Sequence, residues 1–309
     1  MNNDKLFKSL FFNNNMKITF LGTSAMLPTK DRNPNAIFIS HNTEGILLDC
    51  GEGTQKQLRL AGISPTKVTK LLITHWHGDH VLGIPGLIQS LGASNYTKKL
   101  DIYGPEGTKN FFRNMMSGLV FRARINFEVH EIKEGKFFES NEFYLESNNV
   151  KHSIECLSYS LIEKDKLKIN IEYTKKFGLV QHPLLGELQR GKDIVYEGKK
   201  IKVKDATILK KGKKVCFILD TYYDKELVKI AKDSDLLISE ATWLEKDKLT
   251  DKEHLSAKDA GKLAKQSKVK KLILTHFSQR YNNTNELLKE AKKEFKNVEC
   301  AYDLMSFEI

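Results

Sequence analysis

The chain has 309 residues, 40% of them hydrophobic, enough to build a substantial core in one large domain or two modest ones. No window approaches the roughly 18 apolar residues of a membrane span, and the four scattered cysteines offer neither a Cys-x-x-Cys pair nor a disulfide framework, so a reducing cytoplasm is the expected home. A formal net charge of +11 favours polyanionic partners such as nucleic acid, but a lysine-rich solvent face would give the same figure, so charge supports that class without establishing it.

At the N-terminus, Lys8 interrupts the apolar patch and no small-residue cleavage site follows, which argues against a secretory signal. Residues 1–15 are expected to be a disordered extension or an upstream start, since Met16 stands immediately before the first strand-like run. Short apolar runs then alternate with turn signals and amphipathic stretches, as in an α/β protein. Strands are predicted at 17–21, 36–40, 45–49, 71–74, 100–103, 215–220, 236–239 and 272–275, and helices at 55–61, 85–91, 108–116, 257–266 and 284–296. Two pairs of strands resemble each other. GILLDCGEG from Gly45 reads against CFILDTYYD from Cys216, and KVTKLLITHWH from Lys67 against KVKKLILTHFS from Lys268. Each half thus offers a strand ending in Asp followed by one ending in Thr-His, which predicts a single domain, 16–309, of two related halves. Strand ends in such sheets project side chains into the crevice where ligands bind.

The stretch THWHGDH, residues 74–80, packs three imidazoles and a carboxylate into six positions, His75 to His80. His75 and His77 alternate along an extended segment and so face one way, while Gly78 is expected to allow the sharp turn that returns Asp79 and His80. Neutral imidazole and ionised carboxylate suit Zn²⁺, and Mn²⁺ or Fe²⁺ tolerate the same donors. One loop cannot close two coordination shells. The further donors expected at matching strand ends are His152, Asp220 and His276. In the resulting scheme His75, His77 and His152 bind one divalent ion, Asp79, His80 and His276 a second, and Asp220 bridges them, at the roughly 3.5–4 Å separation of binuclear hydrolases. His41, His130 and His182 have no comparable constellation and are expected at the surface or in loops.

At these residues the sequence resembles the metallo-β-lactamase fold superfamily and, more narrowly, the ribonuclease Z family of tRNA 3′ endonucleases. Besides THWHGDH, the likeness is carried by FLGTSAMLPTKDRN at Phe20, LLDCGEGTQKQL at Leu47, DHVLGIPGLIQSLG at Asp79, SEATW at Ser239, HLSAKDAG at His254 and LTHFSQRY at Leu274. The resemblance implies an αββα sandwich with the binuclear site along its edge, and it assigns Asp79 as proton acceptor. It places Glu240 and His254 near the leaving oxygen, although His254 alone reads as a residue just before a helix start with Ser256 as N-cap. Asp49 would brace the metal loop from behind, or else be an ordinary strand-end turn carboxylate. Ser278, Arg280 and Tyr281 would contact a substrate phosphate, or else form a helix start. Relatives are commonly homodimers in which the partner presents its arm. The sequence departs from the family at Leu219, where a glycine usually precedes the bridging aspartate, and at His182-Pro183, where Gly-Pro is usual; the latter predicts a stiffer hinge.

A binuclear centre could cleave lactams, thioesters or phosphodiesters, so recognition must come from outside it. Residues 160–214 contain little that looks like core but several basic runs, including KKGKK from Lys210, and an arm at about 160–205 is expected to grip the phosphates of a precursor tRNA. The implied reaction is hydrolysis by water with His254, oriented by Glu240, assisting departure of the 3′ oxygen, leaving a tRNA 3′-hydroxyl and a 5′-phosphorylated trailer.

Overall fold

The computed structural model describes residues 16–120, 125–248 and 253–309; the extension predicted at 1–15 lies outside them. Two seven-stranded sheets carry the fold. The first runs in space Ser306–Glu308, Lys17–Gly22, Ala36–His41, Glu44–Leu48, Lys70–Leu72, Lys99–Gly104, Asn126–Glu131. It is antiparallel as far as Glu44–Leu48 and parallel beyond. The second runs Gly135–Glu139, Phe143–Val150, Cys156–Glu163, Lys214–Ile218, Leu236–Glu240, Lys271–Thr275, Val298–Cys300, antiparallel as far as Lys214–Ile218 and parallel beyond.

The two-residue period of a strand divides these apolar runs between two interiors. Ile37, Ile39, Ile46 and Leu48 of the first sheet meet Val215, Phe217, Leu236 and Ile238 of the second in the central core. The alternate residues Phe38 and Leu47 pack outwards on the layer that contains the helices Thr54–Leu60, Ile84–Ala93 and Thr108–Ser117. On the far side, Cys216, Ile218 and Leu237 pack on the layer of Lys225–Ala231, Ala257–Gln266 and Asn285–Glu294. The result is the αββα sandwich expected. Ser256 caps the helix Ala257–Gln266 in a reciprocal capping box with Asp259.

Each predicted strand and helix has a counterpart. The strands Asn126–Glu131, Gly135–Glu139, Phe143–Val150 and Cys156–Glu163 were not predicted; the first two are only partly buried, so polar residues dilute their pattern. The expectation of little core beyond residue 160 also needs correction. Between Cys156–Glu163 and its antiparallel neighbour Lys214–Ile218 the chain makes a compact excursion based on the ribbon Lys166–Ile169 with Thr207–Lys210. Leu179, Leu188, Ile194, Ile201 and Ala206 form a small core of their own there. His182 supports it locally, its Nδ1 accepting from the backbone N–H of Leu184 at 3.2 Å at the start of the helix Leu184–Gln189. His41 is corrected as well: it is buried between the sheets, edge-on to Phe143 at 5.2 Å, whereas His130 lies on a strand, stacked on Tyr103.

The parallel strands of both sheets run the same way within each sheet, so the loops that follow them collect at one edge. The loops after Glu44–Leu48 and Lys70–Leu72 carry Asp49 and His75 to His80, while those after Lys214–Ile218 and Lys271–Thr275 carry Asp220 and His276. Two bonds tie the edge together from beneath: Leu157 N–H donates to Thr74 O at 2.9 Å, and the Tyr159 hydroxyl to Ile73 O at 2.7 Å.

Candidate metal centre

Asp49 leaves its strand in the left-handed region, with φ 56°. From there its carboxylate accepts from Thr74 N–H at 2.8 Å and Asn35 Nδ2 at 3.0 Å, and it meets His80 Nδ1 at 2.7 Å. With Nδ1–H turned to Asp49, His80 is left to direct Nε2 into the site. The metal-loop segment Gly78–Val81 is one turn of helix with His77 at its N-cap, so the chain turns sharply at Gly78, as expected, and does so without a left-handed φ. The close approach lies nearby instead, where a Cβ on Gly51 would sit 2.4 Å from Asp79 O and one on Gly83 would sit 2.1 Å from Gly51 O. Cys50 N–H to His80 O and Gly83 N–H to Cys50 O, both 2.8 Å, lock the two loops together.

Two groups of donors result. His75 Nε2 and His152 Nε2 lie 3.0 and 3.2 Å from His77 Nδ1. Asp79 Oδ2 lies 3.4 Å from His80 Nε2 and 3.5 Å from His276 Nε2. Asp220 stands between them. Its Oδ1 is 3.4 Å from His80 Nε2 and 3.2 Å from His276 Nε2, while Oδ2 is 3.8 Å from His75 Nε2 and 3.6 Å from His254 Nδ1. All seven predicted donors thus come together from both halves of the chain.

Whether these residues fit a cation is answered by atoms that nothing else satisfies. His80 Nε2, Asp220 Oδ1 and His276 Nε2 are buried without a hydrogen-bond partner, yet they face one another. Buried polar atoms are normally paired, and a shared divalent ion satisfies all three. Burial opposes a proton on His80, but Asp220, Asp79 and Asp49 together hold its imidazole well above its ordinary pKa; that proton stands where a cation would, and a divalent ion would displace it. Burial, reinforced by His80, holds the His75 imidazole well below its ordinary pKa and so neutral, as a ligand must be. Burial alone would raise the Asp220 carboxyl, but His276 and His80 outweigh it and keep it ionised. For Asp79, likewise, His80 and His276 overcome burial. The donor set therefore fits divalent metal.

Residues outside the predicted set hold these donors in place. Thr74 Oγ1 lies 3.0 Å from His75 Nδ1 and donates to Asp49; Thr242 Oγ1 lies 3.1 Å from His276 Nδ1 and donates to Glu240 Oε2 at 2.6 Å. Each half therefore runs from an imidazole through a threonine to a buried carboxylate. The only sequence sign of either is a small hydroxyl residue beside a strand end. Glu240 also accepts from Thr221 N–H at 2.7 Å and lies 3.3 Å from His254 Nδ1. Asp79 Oδ2 accepts from Met26 N–H at 2.8 Å.

Of the predicted phosphate contacts, Arg280 is exposed and lies over the Trp243 ring at 4.2 Å. Ser278 is buried, and the Tyr281 hydroxyl donates to Asp247 at 2.6 Å. In a further group of possible ligands, Asp101, Glu128 and His130, the Lys99 ammonium already bridges the two carboxylates and His130 Nε2 lies 3.2 Å from Asp101.

The fold and the converging donors define a metallohydrolase of the metallo-β-lactamase fold. Solved structures agree on the fold: a metallo-beta-lactamase fold protein from Bacillus subtilis matches with TM-score 0.71 at 18% identity, covering 96% of this chain and 100% of that one. Human tRNase Z, short form, matches with TM-score 0.69 at 27% identity, covering 94% and 98%. In sequence, Ribonuclease Z of Methanothermobacter thermautotrophicus is 40% identical over 299 residues, 95% of this chain and 97% of the relative. Ribonuclease Z of Bacillus cereus is 36% identical over 312 residues, 95% and 99%. A family model described as Anti-Pycsar protein Apyc1 matches residues 16–198. By these matches the chain belongs to the ribonuclease Z family of metal-dependent endonucleases and, through residues 16–198, to the family that this model describes.

Proposed function

We propose that this protein is the endoribonuclease that removes 3′ trailers from precursor tRNA, leaving a tRNA 3′-hydroxyl and a 5′-phosphorylated trailer. The observation that carries the reading is the division of Asp220: one oxygen faces His80 and His276, the other His75, as a carboxylate bridging two ions requires. Relatives named Ribonuclease Z along nearly the whole chain supply the substrate class.

In this reading His75, His77 and His152 would hold one ion and Asp79, His80 and His276 the other, with Asp220 shared between the two groups. Two zinc ions, with manganese or iron tolerated, would activate water and neutralise charge on the phosphoryl oxygens. The chain's own groups do the rest. Asp79, kept ionised and fixed by Met26 N–H, takes the proton of the attacking water. His254 gives a proton to the departing 3′ oxygen, and Glu240 orients its ring. Asp49 steadies His80. Arg280, Ser278 and Tyr281 face or frame the phosphate path. The excursion within about 160–205 is the tRNA arm of a single domain with two related halves, and the protein works in the cytoplasm as a homodimer. Among the described residues no helix is long and apolar enough to cross a membrane.

The test is incubation with a 3′-extended tRNA transcript, mapping the cut and both termini, beside Asp220→Ala. A single cut with hydroxyl and phosphate ends, lost in the variant, is expected. A cyclic phosphate end would contradict a water nucleophile.

A further inference from the structure

Beside the metal centre opens a cavity of about 600 Å³ lined by His152, Ser153, Tyr222, Tyr223, Lys248 and Glu253. Its volume lies within the roughly 300–1,000 Å³ of small-molecule sites. Two of its features are tied to chemistry already described. His152 is one of the candidate ligands, so the cavity opens onto the reacting phosphate. Glu253 precedes His254, whose ring lies 5.4 Å from that of His152, so the cavity adjoins the group assigned to the leaving oxygen. Asp79, which takes the proton of the attacking water, is not among its walls.

That asymmetry sets a direction for the substrate. Hydrolysis that leaves a 3′-hydroxyl breaks the bond between phosphorus and the 3′ oxygen. The new bond joins water oxygen to phosphorus, Asp79 receives the water's proton, and His254 supplies one to the departing oxygen. The nucleotide owning that oxygen must therefore lie on the His254 side. We propose that this cavity receives the nucleotide on the 5′ side of the cut, with its base stacked on the Tyr222 ring.

Tyr222 suits the task. It is 37% exposed, two residues beyond Asp220, on a loop pinned by Tyr222 N–H to Lys151 O at 3.2 Å, Thr221 Oγ1 to the same carbonyl at 3.0 Å and Thr221 N–H to Glu240. The loop that carries the ring is thus held by the same carboxylate that orients His254. The Lys151 ammonium lies 5.8 Å from the ring centre, paired with the Asp224 carboxylate at the rim. Tyr223, by contrast, is anchored away through its hydroxyl to Gln266 at 2.7 Å. Stacking on an aromatic ring is tolerant of base identity, as a site acting on many tRNAs needs.

This inference rests on the nuclease reading, and the experiment separates the two. Metal-loaded wild-type, Tyr222→Ala and Tyr222→Trp proteins are given 3′-extended tRNA carrying an abasic ribose either just 5′ or just 3′ of the cut. Tyr222→Ala should lower kcat/KM on intact substrate by about 5- to 150-fold at unchanged metal content, and Tyr222→Trp should restore most of it. An abasic site 5′ of the cut should slow wild type but cost Tyr222→Ala nothing further; one 3′ of the cut should slow both equally. The reverse pattern, a loss unrelieved by tryptophan, or undiminished cleavage by Tyr222→Ala overturns the subsite while wild-type cleavage stands. Wild-type protein that leaves extended tRNA intact overturns the nuclease reading, and the subsite falls with it.

Discussion

Asp49 and His276 both sit in the left-handed backbone region, at φ 56° and 57°, which side-chain-bearing residues seldom occupy. Each directs a side chain into the metal edge, so the strain is located where the donors converge. Asp49 offers a clean test because asparagine tolerates the same backbone region and has nearly the same shape. Asp49→Asn keeps the loop but removes the charge that faces His80 Nδ1. Metal affinity, measured by competition with a chelator, should fall by about 10- to 100-fold. Unchanged affinity would mean that Asp49 merely closes a turn. His254 and His77 give a complementary pair. His254→Ala should cut turnover on extended tRNA by roughly 100-fold or more while metal content stays intact, as expected for loss of a proton donor. His77→Ala should lower metal content and turnover together.

At the scale of elements, the site was legible where its chemistry coincides with strands buried on both faces. Runs such as Leu236–Glu240 are wholly buried and read as unbroken apolar stretches, so their ends, and the polar residues placed there, stand out. THWHGDH was legible for a simpler reason, since so many donors in one loop have few other uses. The rest depended on tertiary packing. Gly51 and Gly83 matter because two loops touch, which no local pattern records, and the edge strands near residue 130 are too exposed to read cleanly. Thr242 and Tyr222 carry no signal until the fold brings them beside His276 and His152. The excursion between Cys156–Glu163 and Lys214–Ile218 illustrates the same limit, as its five core residues are spread over a segment otherwise rich in lysine. Its position makes it removable. Cys156–Glu163 and Lys214–Ile218 are paired up to Ile162 and Lys214, and Glu163 N–H donates to Lys213 O at 2.9 Å. A two-residue Asn-Gly turn replacing residues 165–211 would close this ladder as a hairpin. That deletion should weaken tRNA binding far more than hydrolysis of a small phosphodiester, and equal losses on both would argue against a separate recognition arm.

Over the whole molecule the two sheets are joined at opposite ends by different means, a polar metal edge at one and a clasp around His41 at the other. His41 ends the first-sheet strand Ala36–His41. It is buried against Phe143, with Nε2 3.6 Å from Glu163 Oε1 of the second sheet. Asn42 Nδ2 donates to Glu142 at 2.7 Å, and Lys166 pairs with that same carboxylate at 2.7 Å. Burial pushes the imidazole below its ordinary pKa of 6.5; Glu163 opposes that, Lys166 reinforces it, and Glu142 opposes it more weakly. The unfolded chain therefore takes up a proton that the folded one resists. The stability held in this clasp is complete above pH 6.5 and drains away as pH falls from there towards the lowered folded value. His41→Phe removes the titrating group and retains an aromatic ring. The thermal midpoint of metal-stripped protein, followed at pH 7.5 and 5.5, should drop more for wild type than for His41→Phe. The metal edge is the same in both proteins and cancels in the comparison. Equal drops would show that the His41 clasp holds no pH-dependent stability.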